Sequence, residues 1–355
     1  MRLAIVAVIA VCGIAIGATL ALGGSPRNAY DVHRLVSDRP GHAANADAHL
    51  VNAWGLAASP TGPWWTSNEA SATSTLYWSA GRKQLLTVRV AGGPTGVVWY
   101  AGKELPVSGG GVSDPARFIY ACEDGKLRAW TPTVPGGWST QSEVVVDEGA
   151  EAAVFRGVAI DGARVFATDF HNARVDVYDA QWHRVRIPGA FVDTTIPDWY
   201  APFGIQAIDG HVFVTYVYRA PVNGNDAPTG GYVDEFDRNG KLVARVGHGG
   251  VLNAPWGLAQ APRSFGRFGG ALLIGNFGDG RINAYRRSSK GWSLAGTLHN
   301  GHGKPLVVNG LWGIAFGNGG TAGPVGTLFF TSGPHIWRGE TELGVHGLLG
   351  SITPA

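Results

Sequence analysis

Charge is scarce in this chain. Asp, Glu, Lys and Arg make up 15% of the 355 residues, and the formal net charge is +2 with no acidic or basic tail. A balance this close to neutral gives no electrostatic case for nucleic acid as a partner. Cysteine is scarcer still, with only Cys12 and Cys122. Removal of the leading apolar run would leave Cys122 alone, so no intrachain disulfide is expected. Cys122 follows an apolar stretch and reads as a buried, inert thiol rather than a nucleophile. Catalytic signatures are also missing. There is no GxSxG elbow, because "GWSLAG" at 291–296 has one residue too many. No phosphate loop or dinucleotide fingerprint occurs. His299 and His302 have HxxH spacing but lie in a Gly-rich loop without cysteine partners, which argues against zinc. No segment after the N-terminus has a convincing helical period, and no linker divides the chain.

The N-terminus has what the rest lacks. Arg2 precedes an apolar run over residues 3–22, closed by Gly23, Gly24, Ser25 and Pro26. Residues 1–24 therefore read as a signal peptide, or as an anchor if uncleaved, since the run is long enough to span a bilayer. Residues 25–355 read as one domain. An exported protein is expected (periplasmic, secreted or at the cell surface), touching membrane only through an uncleaved segment.

Glycine is abundant, at 54 residues, roughly twice the usual share of about 7%. It recurs in a phrase. "VNAWGLAASP" at 51–60 returns as "LNAPWGLAQAP" at 252–262, and looser copies place the key glycine at Gly55, Gly96, Gly157, Gly204, Gly257 and Gly313. The spacing of 41 to 61 residues is too irregular for a solenoid but suits propeller blades with variable loops. Each phrase is followed by a second apolar strand, a turn, and a third strand ending in an aromatic. Asp124-Gly125 and Asp279-Gly280 are strong hairpin turns. A more polar fourth strand follows, as at 83–90 and 241–247. The sixth unit has no fourth strand of its own, and "YDVHRLVSD" at 30–38 has no blade. The expectation is an all-β, six-bladed propeller closed by the N-terminal strand, which removes exposed sheet edges and favours a monomer. The stretches at 107–115 and 220–231 read as loops.

The phrases "LVSDRPG", "FHNARVDVYD", "YAPFGIQAI", "GALLIGNFGDGRINAY" and "HGLLGSI", with the Gly phrases, resemble a family of exported bacterial six-bladed propellers related to the NHL type. Some members of that family carry PEP-CTERM sorting tails, which this chain lacks. The resemblance covers roughly residues 31–355 and implies the fold; it implies no activity or catalytic residues.

In a propeller, the residues before each first strand and the turns between second and third strands meet at one mouth. Candidates there for a ligand with an apolar face are Asn52, Trp54, Phe203, Tyr216, Asn253, Trp256, Asn309 and Trp312. The same tryptophans would equally fill gaps between blades. Asp169 and His171 in "ATDFHN", and Arg156 where other blades have Trp, Phe or Thr, are the candidates for chemistry. Arg156 would pair with Glu123 or Asp169, or bind an anion. "VNGLWGIAF" at 308–316 resembles a phrase of lactone-opening propellers that hold calcium in the channel. That resemblance implies a site for a cation such as Ca2+ through Asn309, with Glu69 or Glu123 replacing an acid missing at Asn52. No cofactor is otherwise expected. Two functions follow: a binding module for a glycan, peptide, protein or small molecule, or a metal-dependent hydrolase or lyase. The long loop at 219–231 and that at 334–345 are expected to cover the site.

Overall fold

Six glycines decide how closely the innermost strands approach. In the computed structural model, which describes residues 27–219, 230–338 and 341–355, the first strands are Ala53–Ala58, Pro94–Trp99, Phe155–Asp161, Tyr200–Ile208, Pro255–Gln260 and Leu311–Phe316. Each carries one of the six glycines and packs against the next strand around a central axis. A Cβ on Gly55 would sit 2.6 Å from the Val97 amide nitrogen, and one on Gly96 2.7 Å from that of Val158. On Gly157 it would meet the Phe203 carbonyl oxygen at 3.0 Å, and on Gly204 the backbone of Trp256. On Gly257 it would meet the Trp312 oxygen at 2.5 Å, and on Gly313 the Trp54 oxygen at 2.7 Å, which closes the ring. Only glycine permits that approach.

Outward from the axis the strands of blades one to five follow chain order and pair antiparallel. Second strands such as Phe118–Cys122 and Leu328–Ser332 are buried at every residue, as expected between two neighbouring sheets. Fourth strands such as Lys83–Arg89 and Leu242–His248 are largely half-buried or exposed, which suits their polar composition. Apolar clusters fill the gaps between blades. Trp65 stacks on Phe118 with ring centroids 3.9 Å apart between blades one and two, and Phe166, Val214, Tyr216 and Phe236 fill the gap between three and four.

The N-terminal strand closes the ring as expected. Tyr30–Ser37 pairs antiparallel with Leu348–Pro354 and becomes the outer strand of blade six. Tyr30, 1% exposed, locks it to blade five: its hydroxyl accepts from the Phe268 amide at 3.3 Å, and its own amide donates to the His299 carbonyl at 2.9 Å.

Three details differ from the sequence reading. The glycine-rich stretch read as a loop at 107–115 is a hairpin, Pro106–Gly109 with Val112–Pro115, turning on Gly110 and Gly111 at φ +58° and +80°. Blade three has three strands. After Tyr178 the chain makes one bridge, to Arg184, and then runs irregularly, with Phe191 wedged between Phe166 and Phe236. The last blade's loop also contains a hairpin, His335–Arg338 with Thr341–Val345. The 1–24 segment and the loop stretch 220–229 fall outside the described residues. Among the described residues no helix is long and apolar enough to cross a membrane.

Candidate functional site

The residue before each channel glycine sits at the mouth. In chain order these are Trp54, Thr95, Arg156, Phe203, Trp256 and Trp312. The four aromatics form one buried cluster, each 9% exposed or less. Trp54 stacks on Trp312 with centroids 3.4 Å apart, and Trp312 stacks on Phe277 at 4.0 Å. Trp256 meets Trp54 edge-on at 6.0 Å, and Phe203 does so at 6.3 Å. These rings plug the mouth. Beneath them a space of about 30 Å³ remains, lined by the glycines, aliphatic side chains and Gln206. At about 10–15 Å³ per water it holds roughly two waters, and past Leu56, Val97 and Gln206 the channel widens toward the opposite face into a space of about 260 Å³.

The other side of the mouth is charged. Arg156 pairs with Glu123, and its guanidinium lies 5.5 Å from the Trp54 ring and 5.4 Å from that of Phe170. Of the two partners expected for Arg156, it is Glu123 that the structure brings to it. The Arg156 carbonyl accepts from Trp256 Nε1 at 3.1 Å. Glu69 and Glu123 occupy equivalent positions after the second strands of blades one and two: the Glu69 amide donates to Asn52 O and the Glu123 amide to Gly93 O, both at 3.0 Å. Their carboxylates face one point, 3.4 and 3.1 Å from where a Gly93 Cβ would lie. Glu69 also accepts from Asn52 Nδ2 at 2.7 Å.

The three asparagines of the repeat part company. Asn52 is buried, with its Oδ1 accepting from Trp312 Nε1 at 3.2 Å. Asn253 buries an Oδ1 that has no partner among the described residues. Asn309 is exposed. Backbone geometry explains the divergence. Asn52, Gly93, Ala254 and Gly310 all have positive φ three residues before their glycine, so Asn52 is the counterpart of Ala254 and Gly310, not of Asn253 and Asn309. The sequence carries that offset as one extra residue between Asn and Gly in the second and third copies.

Asp169 is fully buried and accepts from the amides of Val154 and Asn172, both at 3.2 Å, and from Asn172 Nδ2 at 2.7 Å. Arg174 stands 3.2 Å away. His171 is exposed, and its carbonyl accepts from Arg219. Cys122 is buried, and burial pushes its thiol up to about 12. Among the described residues no three His, Cys, Asp or Glu side chains group to hold a metal.

Sequence reasoning missed a groove on this same face, opened where blade three lacks its fourth strand. Asp193, Asp198, Tyr200, Tyr216 and Arg219 line it with Ile196 and Pro197. Tyr200 packs edge-on against Tyr218 and Tyr232. Arg245 pairs with both Asp193 and Asp234 at the groove's inner side. Burial raises Asp234 to about 7 despite that arginine. Asp193 is lowered: burial opposes the shift, but hydrogen bonds from Thr195 and Arg245 outweigh it. The Tyr216 hydroxyl is buried without a partner among the described residues, and burial with the charges of Asp234 and Asp193 raises it well above the usual tyrosine value. The only signal in the sequence was the missing fourth strand after "RVDVYD".

No family model matches the chain. Two uncharacterized proteins of Acanthamoeba polyphaga mimivirus are each 31% identical to it. One matches over 348 residues, 92% of this chain and 82% of the relative. The other matches over 308 residues, 82% of this chain and 80% of the relative. Among solved structures, the PQQ-bound aldose sugar dehydrogenase of Streptomyces coelicolor superposes with a TM-score of 0.51 at 14% identity, over 92% of this chain and 100% of that one. A streptogramin B lyase does so with a TM-score of 0.53 at 11% identity, over 92% and 98%. Likeness at such identity shows the propeller fold alone. The propeller part of the sequence resemblance is borne out; the relatives found by sequence are viral rather than bacterial.

Proposed function

We propose that this chain, which belongs to one family with those two mimivirus proteins, is a monomeric ligand-binding propeller that holds a polar small molecule or glycan on its mouth face. The observation that carries this reading is the mouth plugged by aromatics. With the mouth plugged by aromatics and room beneath for about two waters, the open space on that face is the groove between blades three and four. Tyr200 gives it a flat face, Ile196 and Pro197 apolar walls, and Asp198 and Arg219 an acceptor and donors. The four aromatics of the plug then act as support. Export through residues 1–24 belongs to the same proposal and rests on their sequence alone.

The test is a glycan and small-molecule array, followed by titration of Tyr200→Ala and Asp198→Asn with the best hit. Both variants are expected to weaken binding about tenfold, Asp198→Asn with the melting temperature unchanged and Tyr200→Ala with a cooperative unfolding transition retained. Equal binding by all three proteins would remove the groove from the reading.

A second reading, a cation-dependent hydrolase or lyase, has one observation in its favour: the Glu69 and Glu123 carboxylates facing the same point beside Gly93. Calcium would find two hard donors there, and Arg156 competes for one of them. A melting temperature unmoved by calcium, manganese or EDTA would retire it.

A further inference from the structure

We propose that the opposite face carries a second site, for an acidic saccharide, in the groove between blades four and five. Turns from first to second strands and from third to fourth strands reach this face, away from the mouth. The groove is lined by His211, Glu235, Gln260, Arg286, Arg287 and Trp292, with Asp209 at its edge. Arg263 and Arg267 lie in the first connection of blade five, and Lys290 at the tip of its outer hairpin. Arg286 Nη2 donates to the Arg267 carbonyl at 3.0 Å, which draws the two segments together. All five of these cations are exposed. Among the described residues only Arg287 has an ion-pair partner, Glu235. Arg286 and Arg287 line the groove with Glu235 and Asp209, Asp237 stands across from His211, and Arg286 has no carboxylate partner among the described residues.

One buried acid organises the groove. Glu235 is 1% exposed and accepts from Arg287 Nη1 at 2.5 Å and from Trp292 Nε1 at 2.8 Å. His211 Nδ1 lies 2.8 Å from the same carboxylate, off the line of an N–H bond. A carboxylate taken out of water needs this set of donors, and the result is that three groove side chains are fixed in place. The Trp292 N–H is spent inward and the Arg287 guanidinium lies over the ring 5.9 Å from its centroid, so its remaining offer to a ligand is the ring face away from Arg287, with Phe213 edge-on at 5.9 Å. Gln260 Nε2 donates to the Gly270 carbonyl at 3.1 Å, which leaves its side-chain oxygen for a hydroxyl. Arg286 keeps the free edge of its guanidinium for a carboxylate or sulfate, whose two oxygens fit that fork. An aromatic face, an amide acceptor and an unneutralised guanidinium match a sugar ring bearing an acid group. A duplex would want a long basic stripe rather than one groove.

The experiment is isothermal titration of the full chain with a heparin tetrasaccharide and with a tetragalacturonate, alongside neutral maltotetraose and a short DNA duplex. The acidic saccharides are expected to bind, more weakly as sodium chloride rises, and the neutral one is not. Arg286→Gln with Lys290→Gln, both exposed and outside the Glu235 network, is expected to weaken that binding about tenfold with an unchanged melting temperature. Tyr200→Ala on the mouth face is expected to leave it intact, so failure of one site is distinguishable from failure of the other. Absence of acidic-saccharide binding, wild-type affinity in the double variant, equal binding of maltotetraose, or tighter binding of the duplex would each overturn the proposal.

Discussion

Gly204→Ala tests the principle on which the ring is built. The added Cβ would lie 2.8 Å from the carbonyl carbon of Trp256 and 2.9 Å from its Cα, and closer still to its oxygen. Every one of these atoms is backbone, so no side chain can rotate away. Relief requires blades four and five to separate, against the clusters packed between them. Overpacking of this kind costs about 1–3 kcal/mol where side chains share the strain, and a backbone collision belongs at or above the upper figure. At an unfolding entropy of about 2.1 cal/mol/K per residue, a loss of about 3 kcal/mol in a chain of this length lowers the melting temperature by about 4 °C. Gly301→Ala is the control, because a Cβ there meets nothing within 4 Å and φ is not in the left-handed region. The other channel glycines should rank by clearance, with Gly157→Ala the mildest since its Cβ would stand 3.0 Å from the nearest backbone atom. Thermal and urea unfolding of the series provides the assay. A Gly204→Ala protein melting within about 1 °C of Gly301→Ala would refute the close-approach argument.

Trp54→Ala should cost about 3–5 kcal/mol in urea unfolding, because the ring lies between Trp312, Trp256 and Phe203 with 4% exposure; a change under about 1 kcal/mol would mean the plug is not part of the core. Asp234 holds its proton to about 7 in the folded chain, whereas an unfolded aspartate releases it near about 3.9. Between those values the folded state binds more protons, so this group's contribution lowers stability as pH rises through the window and levels off above it. Asp234→Asn should remove that component from a stability–pH profile, and an unchanged difference between pH 4 and pH 7 would contradict the assignment. Cys122, with its thiol raised to about 12 by burial, should resist iodoacetamide at pH 8 in the native protein and react in urea, as mapped by mass spectrometry; labelling without denaturant would place it at the surface.

The fold was legible in the sequence because propeller geometry repeats its demands at each blade. The six glycines, the buried second strands and the turns at Asp124-Gly125 and Asp279-Gly280 all serve contacts that recur around the axis. Closure by residues 30–38 was legible from a count of strands. What escaped was whatever departs from the repeat. The hairpin turning on Gly110 and Gly111 reads as loop because it is short, polar and glycine-rich. The irregular segment after Tyr178 contributes Phe191 to the core from outside any strand, and no periodicity announces that. The offset between Asn52 and Asn253 stood in the letters, since Asn52 precedes its glycine by three residues and Asn253 by four, but the shared Asn, Trp and Gly drew the eye to a match.

That division bears on where a ligand can act. The polar groups the repeat does supply are largely consumed in holding the ring together. Thr95 Oγ1 donates to the Phe155 carbonyl at 3.0 Å, Thr168 Oγ1 to that of Phe203 at 2.7 Å, and Thr331 Oγ1 to that of Trp54 at 2.5 Å, each bond crossing from one blade to the next. Asn52 joins Trp312 of blade six to Glu69 of blade one. Groups committed this way are unavailable to a ligand without loosening the ring. Unspent groups remain both within the repeat, where Trp54 Nε1 and Asn253 Oδ1 have no partner among the described residues, and at the groove beside the three-stranded blade, where the Tyr216 hydroxyl has none; at the outer hairpin of blade five Arg286 has no carboxylate among them.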